Sequence, residues 1–337
     1  MQRLVSILIP AYDAQEWITA ALQSAVMQTW SRKEVIVVDD GSRDATANIA
    51  RRFESSSVKV VSQQNEGASS ARNAALLQAQ GDYIQWLDAD DVLAADKIER
   101  QMEHVVAGFS RRTLLSSAWA RFYYRMEKAK LAESSLWKTL DPVDWMIGKL
   151  GDNGWMAIET WLISRELTTA AGPWNTSLSL DDDGEYVSRL VCACDRVLFE
   201  PRAMSFVRQA NLGSLSRGIS GTENEESQFR SMKLQIHNIR MLNDHERVRS
   251  ACLRYLQRWL PYFYPEHISI VDEARQLARE LGGELTAPRL RPKYILIDKL
   301  LGWQRARRLA WLVPRIKARI TKCWDKSLFV LSQRQAR

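Results

Sequence analysis

Short apolar segments alternate with helical patterns throughout the first 110 residues, and this alternation limits the possible folds more than any other feature of the sequence. The apolar segments have the length and β-branched composition of buried strands, and the patterns between them repeat apolar residues with helical spacing. The predicted strands are Leu4–Ile9, Val35–Val38, Val58–Ser62 and Tyr83–Leu87, and the predicted helices are Ala14–Met27, Asp44–Phe53 and Ser69–Gln80. This order predicts an α/β fold of the Rossmann type, with a mostly parallel sheet flanked by helices.

Polar residues follow each predicted strand at the point where the strand ends. These segments are Tyr12–Asp13, Asp39–Ser42, Asn65–Gly67 and Asp88–Asp91. Ligands of such sheets bind beyond the carboxyl ends of the strands. We therefore expect carboxylates, amides and an aromatic ring to meet at one ligand-binding edge of the sheet.

Asp88 and Asp90 are two carboxylates that directly follow the fourth predicted strand. A pair of this kind can bind a hard divalent cation, which prefers oxygen ligands and can neutralise a diphosphate. The alternative is an acidic turn that caps a helix beginning near Val92, since Asp is a good N-cap. The second acidic strand end, Asp39–Asp40, favours the cation site.

Three further residues at this edge could contact a nucleotide. Asp40 can accept hydrogen bonds from a nucleobase or a ribose, although the same residues are also typical of a simple turn. Tyr12 offers an aromatic face for stacking. Arg72 can bind a phosphate or a base, with a surface salt bridge as the alternative.

The order and spacing of these motifs resemble those of the inverting nucleotide-sugar glycosyltransferases of family 2. The resemblance extends from Val5 to about Arg100 and weakens through residues 110–215. The segments that carry it are Ser6–Tyr12, Gln28–Thr29, Val37–Ser42, Gly67–Asn73 and Gly81–Asp91. It implies a GT-A-like domain over residues 1–215, with a donor half at 1–110 and an acceptor half at 111–215. Residues 220–337 would form a helical, basic C-terminal region.

The resemblance also implies a donor site for a nucleotide diphosphate sugar and a bound Mg²⁺ or Mn²⁺. Pro10 and Tyr12 would lie in the donor pocket, and Tyr12 and Asp40 would contact the nucleobase. Asp88 would lie near the ribose and the metal, and Asp90 would be the principal metal ligand. Arg72 would belong to the same donor site.

A second acidic cluster, Asp181–Glu185, precedes an apolar helical run. Negative charge is favourable at a helix N-terminus, so the cluster has a purely structural interpretation. By resemblance, Asp183 would be the catalytic base, with Asp182 as the alternative register. A base must take the proton of the attacking acceptor hydroxyl while the nucleotide leaves on the opposite face.

The resemblance extends weakly to a donor-closing loop and to the acceptor site. Arg208 and Ser214 lie in a segment similar to a family loop that closes on the pyrophosphate. Trp155 and Glu159 are the candidates for contact with the acceptor, since aromatic faces suit sugar rings. Most tryptophans are instead buried in cores or interfaces, which is the alternative for Trp155.

The predicted activity is therefore metal-dependent, inverting transfer of a sugar from a nucleotide diphosphate sugar to an acceptor hydroxyl. By resemblance, the acceptor would be a glycan or a lipid-linked glycan in bacterial surface glycan biosynthesis. The alternatives are a catalytically silent nucleotide-sugar-binding module, or a sugar-nucleotide hydrolase or nucleotidyltransferase. The sequence has no GxGxxG after its first strand, no Walker A loop and no HExxH motif, which disfavours dinucleotide binding and P-loop chemistry.

The C-terminal residues carry a strong positive charge. From Ala287 onward there are fourteen Lys and Arg and two Asp, whereas the preceding 286 residues have a net charge of −5. Apolar residues recur with helical spacing between Leu309 and Leu331, and Pro314 would kink this helix or start a second one. Residues 293–331 could bind a membrane surface, pack on their own domain or form a homodimer contact, whereas nucleic-acid binding is not expected.

We expect the protein to lie in the cytoplasm. The sequence shows neither a signal peptide nor a run of 18–20 apolar residues, and its four cysteines fit a reducing compartment. With a membrane-binding tail, the protein would be peripheral on the cytoplasmic face.

Overall fold

The computed structural model describes residues 2–209, 222–264, 266–287, 300 and 302–335. Ser214, together with residues 293–299 and 301 of the predicted membrane-binding segment, lies outside the described residues. The elements of the first 110 residues are β1 (Val5–Ala11), α1 (Ile18–Val26), β2 (Lys33–Asp39), α2 (Thr46–Arg51), β3 (Val58–Ser62), α3 (Ala68–Gln78), β4 (Tyr83–Trp86), β5 (Val92–Leu93) and α4 (Lys97–Val106).

The strands β3, β2, β1 and β4 lie side by side in this order and are all parallel. Ile7 on β1 pairs with Val35 on β2 and with Gln85 on β4, so the carboxyl ends of the three strands meet at one edge. The predicted Rossmann-type arrangement of the N-terminal third is confirmed.

The sheet continues through a mixed half that the sequence did not predict in detail. Its elements are β6 (Thr113–Phe122), β7 (Lys130–Leu131), α5 (Pro142–Asp152), β8 (Leu162–Ser164), α6 (Arg165–Ala171), α7 (Asp182–Ala193) and β9 (Arg196–Arg208). Strand β8 joins the two halves because it is antiparallel to both β4 and β6. The long strands β6 and β9 are parallel, with a register shift at Ser117 and Ala118.

The sheet has a hydrophobic core on each face, because side chains alternate along its buried strands. On β1, Val5, Ile7 and Ile9 face a core that also contains apolar residues of α1 and α4. Leu8 faces the opposite core, which contains Ala71 and Ala75 of α3. Two covered faces explain why these strands are almost continuously apolar.

The C-terminal helices α8 (Thr222–Leu242), α9 (Glu246–Phe263) and α10 (Ile268–Glu280) pack onto the second of these cores. Trp145 of α5 and Leu256 of α9 belong to the same cluster of buried residues. The predicted division near residues 215–220 marks a change in the sequence pattern, but buried residues from both sides of it belong to one hydrophobic core.

The last helix, α11 (Trp303–Gln335), runs without interruption through Pro314, so no second helix begins there. Among the described residues, no helix combines the length and the apolar character that a bilayer crossing requires.

Candidate active site

Asp40 closes the carboxyl end of β2 and is almost completely buried. Its carboxylate accepts hydrogen bonds from the backbone N–H groups of Glu66 (3.0 Å) and Gly67 (2.9 Å) and from the side chain of Gln63 (2.8 Å). Gly67 has φ +91°, a conformation that glycine adopts without strain, and it leads directly into α3. Asp40 thus joins the ends of β2 and β3, and its contact with a nucleobase stays a prediction.

Pro10 and Tyr12 lie at the end of β1, beside this junction. Pro10 pairs with Val38, and the neighbouring Ala11 carbonyl accepts the N–H of Asp40 (2.8 Å). The Tyr12 ring is 43% exposed, with the guanidinium of Arg43 5.5 Å from its centroid. An exposed ring at this edge is available for stacking, and its contact with a nucleobase stays a prediction.

Arg72 connects two acidic segments that are far apart in the sequence. Its guanidinium donates to Asp88 (3.0 Å) at the end of β4 and to Asp182 (2.8 Å) at the start of α7. The same group lies 4.4 Å from the centroid of the Trp174 ring. The alternative of a surface salt bridge is wrong, because Arg72 is only 6% exposed.

The charges around Arg72 keep it protonated despite its burial. Burial by itself would lower the pKa of Arg72, but the carboxylates of Asp88, Asp182 and Asp183 outweigh this effect and raise it. A permanent positive charge therefore lies between the two acidic segments.

Three carboxylates, those of Asp88, Asp91 and Glu159, have oxygen atoms within 4.8 Å of one another. Burial, followed by the charge of Asp88, raises the pKa of Glu159 to about 8. Burial, followed by the charge of Glu159, raises the pKa of Asp91 well above its usual value. In the described part of the chain, Glu159 Oε1 is buried without a hydrogen-bond partner.

This cluster fits a hard divalent cation, which would supply the charge that three crowded carboxylates lack. Asp88, a predicted metal ligand, belongs to the cluster, and its binding of an ion stays a prediction; Asp91 and Glu159 were not predicted as metal ligands. Asp90 is half-buried on the same turn and is not one of the three. Its role as principal metal ligand stays a prediction.

The structure corrects the placement of Glu159, which sequence reasoning assigned to the acceptor surface. The residue is only 1% exposed and faces the carboxylate cluster, so an acceptor cannot reach it directly. Trp155, in contrast, is 43% exposed, and its ring meets that of Trp119 edge to face with centroids 4.8 Å apart. Trp155 stays a candidate for sugar contact.

Lys97 is a buried lysine near the cluster that sequence reasoning missed. It is fully buried on α4, and its Nζ donates to Gln85, whose amide donates in turn to the Glu159 carbonyl (2.9 Å). Burial lowers the pKa of Lys97 well below its usual value, while the charge of Glu159 acts in the opposite direction. Nothing in the local sequence distinguishes Lys97 from an ordinary surface lysine of a helix.

Arg208, at the end of β9, holds the turn that carries Asp90 and Asp91. Its backbone N–H donates to the Asp91 carboxylate (2.6 Å), and its Nε donates to the Asp90 carbonyl (2.8 Å). Its guanidinium lies 4.4 Å from the ring centroids of both Trp17 and Phe122. Arg208 therefore lies next to the segment that follows β4, and its contact with a donor stays a prediction.

Asp182 and Asp183 begin α7, but they have different surroundings. Asp182 accepts hydrogen bonds from Ser69 (2.8 Å) and Arg72 (2.8 Å). Asp183 accepts the N–H of Gly184 (2.8 Å). Burial, followed by the charges of Asp181 and Asp182, raises the pKa of Asp183 to about 7.

Asp181 holds this acidic segment in place. It has a left-handed backbone (φ 57°), and its carboxylate accepts hydrogen bonds from three side chains of α8. The donors are Gln228 (3.1 Å), Ser231 (2.9 Å) and Gln235 (2.7 Å). The first C-terminal helix thus fixes the start of α7.

Residues 6–111, which carry this strand-end geometry, match the family model described as glycosyl transferase family 2. The N-terminal third of the chain is therefore similar to this family.

Curated relatives match the same family 2 region. TuaG of Bacillus subtilis is 39% identical over 106 residues, which make up 31% of this chain and 42% of TuaG. WfgD of Escherichia coli, a UDP-Glc:alpha-D-GlcNAc-diphosphoundecaprenol beta-1,3-glucosyltransferase, is 40% identical over 100 residues, 29% of this chain and 40% of WfgD. The chain thus spans less than half of the length of these relatives.

Solved structures resemble the fold well beyond the family 2 region. TarS of S. aureus in complex with UDP-GlcNAc has a TM-score of 0.66 at 19% identity, covering 82% of this chain and 81% of that chain. The mannosyltransferase PcManGT of Pyrobaculum calidifontis, in complex with GDP-Man and Mn²⁺, has a TM-score of 0.56 at 18% identity, covering 97% and 88%. These likenesses confirm the predicted GT-A-like fold.

Proposed function

We propose that the protein is a metal-dependent inverting glycosyltransferase that uses a nucleotide diphosphate sugar. The observation that carries this proposal is the bridge through Arg72, which brings Asp88 and the start of α7 to one place. The family 2 match supports sugar transfer as the reaction. The neighbours that hold UDP-GlcNAc or GDP-Man with Mn²⁺ support the class of donor and the cation.

In this proposal the residues at the strand ends bind the donor and its cation. Pro10, Tyr12 and Asp40 shape the nucleoside pocket, while Arg72 and Arg208 supply positive charge near the diphosphate. A bound Mg²⁺ or Mn²⁺ would be held by Asp88 and Asp90, with Asp91 and Glu159 behind them. When bound, the ion would stabilise the charge that develops on the leaving diphosphate.

Asp183 is the proposed base of the transfer step. It takes the proton of the acceptor hydroxyl as the acceptor oxygen bonds to the anomeric carbon and the bond to the diphosphate oxygen breaks. Asp182 is already held by Arg72 and Ser69, which suits a positioning role. The pKa of about 7 favours Asp183, since a base works best with a pKa near the operating pH.

The proposed acceptor is a glycan or a lipid-linked glycan of a bacterial surface polymer. Its support is the name of WfgD, whose acceptor is attached to diphosphoundecaprenol. In this proposal the enzyme acts at the cytoplasmic face of the membrane, where activated nucleotide sugars are available.

A panel of nucleotide sugars tests the proposal. We expect slow release of the nucleoside diphosphate from one donor in the presence of Mn²⁺, and no release after EDTA is added. The Asp90→Asn variant should release it at least about a hundredfold more slowly. Asp272→Asn, a change at an exposed residue of α10, is the matched control and should behave like the wild type.

Other products would contradict the proposal. Release of a nucleoside monophosphate with a sugar phosphate would indicate a hydrolase, and release or use of pyrophosphate would indicate a nucleotidyltransferase. Donor binding without turnover, even with acceptors supplied, would indicate a silent binding module.

A further inference from the structure

The helix α11 exposes a continuous apolar face. Eight of its described large apolar side chains are at least 36% exposed, and Trp324 and Ile320 reach 68% and 65%. The face consists of Leu309, Leu312, Val313, Ile316, Ile320, Trp324, Val330 and Leu331. Their spacing of three and four residues places them along one side of the helix, which is typical of an amphipathic helix that binds another surface.

The charges of α11 indicate which surface would cover this face. The helix contains nine Lys and Arg but a single acidic residue, Asp325. Among its described side chains, Lys317 and Arg319 are exposed beside the apolar face. A cationic helix with an exposed apolar face is complementary to an anionic bilayer surface, whereas a second copy would bring like charges together.

The single acidic residue points into the protein. Asp325 is only 8% exposed, and its carboxylate accepts the backbone N–H groups of Tyr124 (2.9 Å) and Arg125 (3.2 Å). It also accepts a hydrogen bond from Arg125 Nε at 2.7 Å. Phe329, one turn later, packs on the Tyr124 ring with centroids 6.0 Å apart. We call these contacts the Asp325 clip.

The clip lies next to the candidate active site. The Tyr123 carbonyl accepts a hydrogen bond from Arg208 (3.2 Å), and Tyr124 packs on Trp17 with centroids 5.5 Å apart. Trp17 also contacts the Arg208 guanidinium, which holds the turn of Asp90 and Asp91. The clipped part of α11 is therefore one layer of side chains away from the catalytic turn.

We propose that the apolar face of α11 lies in the headgroup region of an anionic lipid bilayer, and that the Asp325 clip holds the active-site edge beside that surface. This arrangement would deliver a lipid-linked acceptor to the site, and this consequence rests on the proposed function. Binding to the lipid does not depend on activity, so it is tested separately from nucleotide release in solution.

Sedimentation of the full-length protein with vesicles tests the lipid surface. We expect wild type to bind vesicles of phosphatidylcholine with phosphatidylglycerol, and to bind pure phosphatidylcholine much more weakly. Lys317→Ser with Arg319→Ser should weaken binding by about fivefold per charge. Ile316→Glu with Ile320→Glu should weaken it by about tenfold or more, since both side chains lose their apolar contact.

Leu77→Glu is the matched control, because Leu77 is a highly exposed apolar residue of α3, outside the proposed surface. It should bind vesicles like the wild type. Equal binding to neutral and anionic vesicles would overturn the proposal, and so would no effect of the double variants. A wild-type dimer that the Ile316 and Ile320 changes convert to a monomer would assign the face to a second copy.

Limited proteolysis tests the clip. Asp325→Ala should bind anionic vesicles as well as wild type does, but trypsin should cleave it faster after Lys326, which adjoins the clip. Unchanged protection from trypsin in Asp325→Ala would show that Asp325 does not hold the helix. Loss of vesicle binding in this variant would contradict the proposal that the apolar face binds lipid while the clip only positions the helix.

Discussion

Asp183→Asn is expected to lower the kcat of sugar transfer by about 10²–10⁴-fold, because an amide cannot take the proton of the acceptor hydroxyl. The binding of donor and metal should change little, since the side chain keeps its shape. Asp182→Asn is the matched control one residue away. If Asp182 only positions Arg72, its replacement should lower kcat less than that of Asp183.

The pH dependence of the rate gives a second test of Asp183. With a pKa of about 7, the base is protonated in acid, so the transfer rate should rise with pH up to about 7 and then level off. The residual activity of Asp183→Asn should lack this rise. An unchanged kcat, or an unchanged pH profile in the variant, would assign the proton transfer to another group.

Arg72→Ala is expected to lower the free energy of unfolding by about 3–5 kcal/mol, the usual cost of removing one partner of a buried ion pair. The change leaves the carboxylates of Asp88 and Asp182 facing each other without their common cation. Arg72→Lys should lower the free energy of unfolding less than Arg72→Ala does, because an ammonium keeps the charge but cannot form both planar contacts. Urea unfolding followed by tryptophan fluorescence measures the difference.

Arg275→Ala is the control for this experiment. Arg275 pairs with Asp272 on α10, where both side chains are exposed, so its loss should cost less than about 1 kcal/mol. If Arg72→Ala were as stable as this control, the two acidic segments would not depend on the bridge.

The sequence predicted the parts of the site that follow from local pattern. The strands β1 to β4 are mostly apolar and short, so their ends and the polar residues after them could be placed without a structure. Strand β9 was missed because its residues Arg196–Arg208 include Pro201 and several charged side chains, which resemble a surface loop. Strand β6 was missed because its buried Ser116 and Ser117 interrupt the apolar pattern.

The parts of the site that could not be predicted depend on contacts between residues far apart in the sequence. The contact of Arg72 with Asp182 joins residues 110 positions apart, and Glu159 reaches the cluster from a segment that contains no motif. The burial of Lys97 could not be predicted either, because it depends on how α4 packs against the sheet. These residues acquire their roles from packing, which the local spacing of residue types does not determine.

A crystal structure with Mn²⁺ and the nucleoside diphosphate that binds best in the donor panel tests the central claim most directly. The account predicts an ion about 2.1–2.3 Å from carboxylate oxygens of the turn after β4, bridging to the diphosphate, with Asp183 facing the open side where a sugar would lie. A nucleotide bound away from this turn, or an Asp183 carboxylate directed away from the diphosphate, would contradict it.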